Sequence, residues 1–353
     1  MGVEEELLLV DPVSGVPLGL AGSVLDTDAG AELDGEMRPE QVETGSTPHT
    51  EAAELAAELR ARRHRATGAA RRRGAAVAAL ATSPISPGPT TAPPGRYTEI
   101  TERFGAIASA QLTNGQHVHV EVSSREEGVG VLDRIGVWLP VLRALAANSP
   151  YWRGTDTGYA SYRSLVWTRW PSAGPTRVFG SVEAYDATVE AMLASGALLD
   201  EAMVYFDARL AQHFPTVEVR VADVSATVDD AVLVAVLTRA LVSTAATAWA
   251  AGDPPPGTPV EALRLAHWRA ARSGAHGMLV DPRSGLPEPA EVVVGALRSH
   301  VAPALEAADD TDLVAEGCAR VLAGATGAAR QRATHVAGGL RAVVLDAVDR
   351  GAR

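Results

Sequence analysis

The 353-residue chain contains no lysine: all 31 of its fixed cations are arginines. That absence removes the P-loop lysine, the strand lysine of protein kinases and the Schiff-base lysine of pyridoxal phosphate enzymes. A phosphate held by this chain must be held by arginine, metal and backbone amides. Abundant Ala, Gly, Val and Arg offer a bland origin for the missing lysine, a GC-rich coding sequence. Cysteine is nearly absent too. Cys318 stands alone, which excludes an internal disulfide and a cysteine-based metal site. Its Ala-rich helical context with no nearby histidine reads as a buried structural thiol. HExxH, GxSxG and a well-placed GxGxxG are all missing. The apolar stretches are broken by Arg, Asp, Gly or Pro, so the reading contains no membrane-spanning helix. The start, MGVEEE, has neither the basic nor the apolar region of a signal peptide. A formal charge of −12 disfavours nucleic acid as a partner. These features predict a cytoplasmic globular protein.

What is present alternates between short strands and long helices. Residues 2–10 (GVEEELLLV) read as a strand, and the turn at Asp11-Pro12 and Ser14-Gly15 predicts a hairpin with 16–25. Helical spacing covers 50–81, then five prolines and two glycines make 82–97 a long loop of the kind that forms lids or binding loops. Helix is expected again at 97–112 and 129–148, with the strand QHVHVEVS (116–123) between them. Residues 149–180, rich in Gly, Pro, Ser and aromatics, read as an extended segment dense in function. Helix follows at 181–203, the strand TVEVRVADV at 216–224, and an apolar helix at 228–251. The remainder to 350 is mostly helical, broken by the turn at 281–289, and no internal repeat is visible. Strands and helices do not follow βαβ order, which favours an antiparallel α+β fold. The expected organisation is a single catalytic domain over 1–353. Its sheet core occupies about 1–225 and its mostly helical part about 226–353.

On a strand, side chains two apart share a face at roughly 6.5–7 Å spacing. Glu4 and Glu6 therefore share one face of the first strand, His117, His119 and Glu121 one face of the second, and Glu218 and Arg220 one face of the third. Valines fill the opposite faces of the last two. A solvated polar face is the plain alternative. Yet Glu, His and Arg are middling strand formers, and gathered carboxylates repel unless cations lie between them. Hard divalent ions such as Mg²⁺ suit such oxygens, and Arg220 suits a phosphate or carboxylate in the same pocket. Glu36, Glu40 and Glu43 lie around Pro39, so their geometry cannot be read from spacing and a solvated loop is expected. The stretch SPYWRGTDTGYASYRS (149–164) looks either like the lining of a pocket for a small zwitterion or like a surface loop.

The stretches GVEEELLLV, RYTEITERFG (96–105), NGQHVHVEV (114–122), SPYWRGTDTGYASYRS, HFPTVEVRVADV (213–224) and WRAARSG (268–274) together resemble the bacterial carboxylate–amine ligases of the glutamate–cysteine ligase type 2 family. The resemblance implies a glutamine synthetase/glutamate–cysteine ligase-like fold, a curved, mainly antiparallel sheet forming a funnel and flanked by helices. It implies ATP with Mg²⁺ or Mn²⁺, and a glutamate or similar acid activated for attack by cysteine or another amine. Carried over, Glu4, Glu6, Glu43, Glu36, His119 and Glu218 are expected metal ligands. His117, His119 and Arg220 face the nucleotide, Glu218 and Arg220 are catalytic, and Arg163, Tyr159 and Arg153 hold substrate. A homodimer and small-molecule partners, with no membrane and no nucleic acid, complete the expectation. Glu121 and Ala266 depart from the family pattern. Two rival readings are a zinc hydrolase using His117 and His119, and a non-catalytic nucleotide- or amino-acid-binding protein.

Overall fold

The computed structural model describes residues 1–88 and 95–351, so part of the proline-rich loop expected at 82–97 lies outside the described residues. The strands are β1 (Gly2–Val10), β2 (Asp34–Gly35), β3 (Gln41–Gly45), β4 (Ala76–Ala78), β5 (Gly115–Glu121), β6 (Tyr151–Trp152), β7 (Thr155–Asp156), β8 (Ala208–Leu210), β9 (Thr216–Asp223), β10 (Met278–Val280) and β11 (Pro287–Pro289). Helices of the first half are α1 (Ala21–Leu25), α2 (Ala52–Arg71), α3 (Arg96–Phe104), α4 (Ala106–Ala110), α5 (Arg125–Ile135), α6 (Leu139–Leu145), α7 (Tyr162–Trp167) and α8 (Val182–Ala194). Those of the second half are α9 (Val228–Ala250), α10 (Val260–Ser273), α11 (Ala290–Ala307), α12 (Thr311–Arg320) and α13 (Gly327–Gly351).

The main sheet runs β2-β3-β1-β5-β9-β8, with β4 paired to the far end of β1. All its pairings are antiparallel. The expected α+β class and its mainly antiparallel sheet are what the fold contains. One face of the sheet is apolar and covered by helices. Val3, Val118, Val120, Val217, Val219 and Val221 are buried in one core with Leu55 and Leu59 of α2 and the valines and leucines of α9. Each fully buried Val or Leu contributes roughly 1.5–3 kcal/mol, so this face fixes which side of every strand points in.

Helix α9 is long and apolar enough, by length and composition, to cross a membrane, which the broken-run reading missed. Here most of it is buried in the core, between α2, α5, α11 and α12. Its N-terminus is capped by Thr227, whose hydroxyl accepts from the Asp230 N–H, with Asp229 and Asp230 in the first turn.

Several expectations need correction. The hairpin of β1 with 16–25 is only a short one, reaching Leu18. Its antiparallel contact is confined to the bridge Val10↔Pro17, with the Asp11 N–H donating to the Val16 carbonyl at 2.8 Å and the Leu18 N–H to the Leu9 carbonyl at 2.9 Å, and the chain then turns into α1, because β3 takes that edge of β1 from Leu8 back to Glu4. The helix expected over 50–81 stops at Arg71. The chain turns through Gly74, at φ +73, and Ala76–Ala78 pairs with β1. Tertiary pairing overrides the helix propensity of that alanine run. The helix at 129–148 is two, α5 and α6. Finally, the supposed acidic loop contains β3, laid antiparallel on β1.

Candidate active site

The other face of the sheet carries the ionisable groups, and the strand register sets them side by side. Glu6 lies opposite Glu43 across β1 and β3, and Glu4 opposite His117 across β1 and β5. His119 lies opposite Glu218 across β5 and β9, and Glu218 opposite Arg209 across β9 and β8. A β-bulge between Gln116 and Val118 shifts the register along β5. These groups converge on a cavity of about 300 Å³, lined also by Glu36 and by aromatic residues including Tyr97, Trp167, Trp170 and Tyr205.

Contacts inside the cavity are short. His117 Nδ1 lies 3.2 Å from Glu4 Oε2, and His117 Nε2 3.6 Å from Glu6 Oε1. His119 Nε2 lies 3.3 Å from Glu4 Oε1, while its Nδ1 meets the Thr216 hydroxyl at 2.9 Å. Burial would raise the Glu4 carboxyl, but the His117 hydrogen bond and the close His119 imidazole outweigh it and hold the carboxyl far below the usual range. The reverse holds at Glu43. Its burial, its shared hydrogen bond with Glu36 and the nearby charges of Glu4 and Glu6 push it well up. Glu6 is raised by burial and by Glu36, although its Oε2 accepts the Gly115 N–H at 2.6 Å. His117 is lowered by burial and by the nearby Arg220, against the pull of Glu4, Glu6 and Glu218.

Three overlapping groups bring candidate ligand atoms within 4.8 Å of one another: Glu4, His119 and Glu218; Glu4, Glu43 and His117; Glu6, Glu36 and Glu43. This donor set fits hard divalent cations. It is dominated by carboxylate oxygen, its acids are mutually repulsive without a cation, and the buried Nε2 atoms of His117 and His119 have no hydrogen-bond partner. The zinc reading fares worse, since none of these groups among the described residues contains both histidines.

Glu218 and Arg220 face the cavity together, and both are buried. Glu218 Oε1 accepts from Arg220, and Oε2 accepts from Arg209 Nε at 2.6 Å. Burial opposes the charge on Glu218, yet Arg220 and Arg209 bring it down to about 2. Glu218 thus holds two guanidinium groups toward the site besides any role as a ligand. Arg209 was not singled out from the sequence. It lies in a three-residue strand, and only the Glu218 register reveals it.

The expected substrate residues part company. Arg163 is buried just behind the cavity, with its guanidinium in the space a side chain at Gly115 would need and 5.6 Å from the Trp167 ring. Arg220 lies 5.9 Å from the same ring. Asp223, at the end of β9, anchors this segment by accepting from the Ser149 and Ser161 hydroxyls at 2.7 and 2.9 Å and from the Asn148 N–H at 2.8 Å. Tyr159 and Arg153 do not line the cavity. The Tyr159 hydroxyl accepts from the Trp268 indole at 3.2 Å, and the exposed Arg153 packs on Trp152 at 5.2 Å. Residues 151–156 of that stretch fold into the small antiparallel hairpin β6-β7. Glu40 is also no solvated acid. It is fully buried and accepts from Arg38 at 3.3 Å. Glu121 is exposed at the end of β5.

Comparison with known proteins places this geometry among relatives. The sequence model described as glutamate-cysteine ligase family 2 matches residues 1–346. A Paenarthrobacter aurescens protein named "Putative glutamate--cysteine ligase 2-1" is 48% identical over 344 residues, covering 95% of this chain and 90% of that protein. The Streptomyces coelicolor "Putative glutamate--cysteine ligase 2" is 48% identical over 356 residues, covering 99% and 98%. Among solved structures, a glutamate–cysteine ligase from Francisella tularensis in complex with AMP superposes with a TM-score of 0.71 at 14% identity, covering 99% of this chain and 87% of that one. A bifunctional glutathione synthetase from Pasteurella multocida gives 0.68 at 16% identity, covering 99% of this chain and 52% of that one. The fold is therefore of the glutamate–cysteine ligase type.

Proposed function

Because the chain belongs to glutamate–cysteine ligase family 2, and is a ligase-type enzyme forming a carbon–nitrogen bond, we propose that it joins the side-chain carboxylate of glutamate, or a similar acid, to an amine with ATP as the activating substrate. The observation that carries the reading is the convergence of Glu4, His117, His119 and Glu218 from three adjacent strands onto one cavity. A neighbour of the same fold in complex with AMP supports nucleotide use.

The chemistry follows from what a carboxylate cannot do. It does not form an amide in water at a useful rate, so a carboxylate oxygen first attacks the γ-phosphorus of ATP and ADP leaves. The amine nitrogen then attacks the acyl carbon of the acyl phosphate, and inorganic phosphate departs with the C–O bond pair. Phosphoryl transfer is mostly positioning and charge neutralisation. Glu4, Glu6, Glu36, Glu43, His119 and Glu218 hold divalent metal in this reading. Bound Mg²⁺ or Mn²⁺ would neutralise the phosphate oxygens. Arg220 and Arg209, steered by Glu218, face the transferred phosphoryl group, with His117 beside them. Arg163 supports the floor of the site through Gly115 and Glu6. We treat residues 1–353 as one catalytic unit acting on small molecules.

The test is phosphate release from ATP and Mg²⁺ with pairs of amino acids as acid and amine. One pair should release phosphate and yield an amide. Glu218→Gln and Arg220→Ala should each lower turnover by about 10²-fold or more, the usual cost of removing a transition-state electrostatic group, with unchanged circular dichroism. Wild-type turnover in either variant overturns that residue's role. ATP binding without phosphate release from any pair would favour a binding protein instead.

A further inference from the structure

The connection between β8 and β9, residues 211–215, is drawn tight by its own backbone. The Ala211 N–H donates to the Thr216 carbonyl at 2.9 Å, and the Thr216 N–H to the Phe214 carbonyl at 2.8 Å. Ala211, Gln212, His213 and Phe214 line the sheet-face cavity on its solvent side, the last three of them exposed. Such a turn ordinarily carries Gly, Pro, Asn, Asp or Ser at its tip, and this one carries a phenyl group. Phe214 is 62% exposed, among the most exposed large apolar side chains of the described residues. Its ring centroid stands 6.2 Å from that of His119, with the two planes at 83°. A perpendicular contact occupies at most one face of the phenyl ring, so the other is open. His119 itself is held from behind by the Thr216 hydroxyl and by Glu4. The remaining aromatic hydrocarbon rings of the cavity are partly or fully buried. Trp167, Trp170 and Tyr205 pack on one another at 4.8–6.5 Å, and Arg163 and Arg220 lie over Trp167.

We propose that the open face of Phe214 is the platform on which the purine base of the activating nucleotide stacks. The inference rests on the ligase reading, because it takes the phosphates to lie against Glu4, His119, Glu218 and Arg209. Arg209 reaches Glu218 from the strand that runs directly into this turn, so a nucleotide held there by its phosphates has the phenyl ring within reach of its base. The chemistry selects the base over the other substrates. The acid and the amine are small and charged, and a phenyl face in water offers a carboxylate nothing. A purine is large, flat and uncharged, and covering Phe214 with it removes apolar surface from water on both partners. The turn adds little hydrogen-bond discrimination, since the Gln212 amide is engaged by Glu201 at 3.0 Å. The base is therefore read by its stacking area, which ranks purine above pyrimidine.

The test is calorimetric titration of the full chain in excess Mg²⁺, with ATP, with CTP and with inorganic tripolyphosphate as the probe that lacks a base. Phe214→Ala should weaken ATP by about tenfold or more and leave tripolyphosphate as it was. Phe214→Trp, which keeps an aromatic face, should retain ATP affinity. CTP should bind the unmodified chain less tightly than ATP, and the gap should narrow in Phe214→Ala. Both hydrogen bonds of the turn are main-chain and the side chain is exposed, so the variants keep the fold, which circular dichroism checks. Unaltered ATP affinity in Phe214→Ala, or an equal loss for ATP and tripolyphosphate, overturns the proposal and leaves the ligase reading standing. Failure of the unmodified chain to bind ATP at all would remove both.

Discussion

Glu43 lies opposite Glu6 in the β1–β3 register and shares a hydrogen bond with Glu36, and burial with these neighbours raises its pKa well above the ordinary value. An unfolded glutamate titrates near 4.3. Between that value and the raised native one, the folded carboxyl keeps a proton that the unfolded chain has released. Stability of the metal-free protein must therefore fall as pH rises through that window. Divalent metal needs the ionised form, so it should stabilise increasingly as pH climbs. Thermal unfolding in a chelator should show a midpoint falling with pH, roughly 2–4 °C for each kcal/mol lost. With excess Mg²⁺ the slope should flatten. Glu43→Gln should flatten it without metal and lose the response to Mg²⁺. A metal-free midpoint that rises over the same interval would contradict the assignment of Glu43 to the acidic cluster.

At the scale of elements, β1 is held by charge as well as by apolar burial. Glu5 points to the helix side, where it is fully buried and accepts from Arg63 of α2 at 2.9 and 2.5 Å. Arg63 also donates to the Ser225 carbonyl at 2.8 Å, tying α2 to the end of β9. Removing one partner strands a buried charge. Arg63→Met should cost roughly 3–5 kcal/mol in urea unfolding, whereas Glu5→Leu/Arg63→Met should recover most of it. Equal losses in the single and double variants would mean that Arg63 acts by packing alone. The pair also marks what the sequence could and could not disclose. Strict alternation in β5 and β9 exposed His117, His119, Glu218 and Arg220, because period two is visible within one strand. Glu5 sits in a run of three glutamates, where alternation is silent about which face is buried. β3 was hidden by its length and by Pro39, so Glu43 came from resemblance and its geometry only from pairing with β1. Arg209 and Trp167 reach the cavity from separate short elements and Tyr205 from the connection before β8, and no local pattern links them.

For the molecule as a whole, the balance of charge decides how a triphosphate can enter. The chain carries 43 acidic residues against 31 arginines, and the sheet face adds Glu4, Glu6, Glu36, Glu43 and Glu218 at the cavity. Against these stand Arg209 and Arg220, both already engaged by Glu218, and Arg96, which pairs with Asp200 at 2.8 Å. No lysine can supplement them. In the low dielectric of a closed cavity, free ATP would meet net negative charge, and a repulsion that water would screen becomes substantial. The cation is then a condition for nucleotide binding as well as for turnover. Calorimetric titration of ATP at constant ionic strength should show binding with Mg²⁺ and weakening by about tenfold or more in a chelator, since each tenfold step corresponds to about 1.4 kcal/mol. Glu43→Gln/Glu36→Gln, which removes the negative charge carried by this proton-sharing pair, should recover part of the metal-free affinity while losing turnover. Metal-free ATP binding as tight as the Mg²⁺ complex in the unmodified chain would mean that the triphosphate never approaches the acidic strands. The nucleotide would then have to be sought elsewhere in the fold.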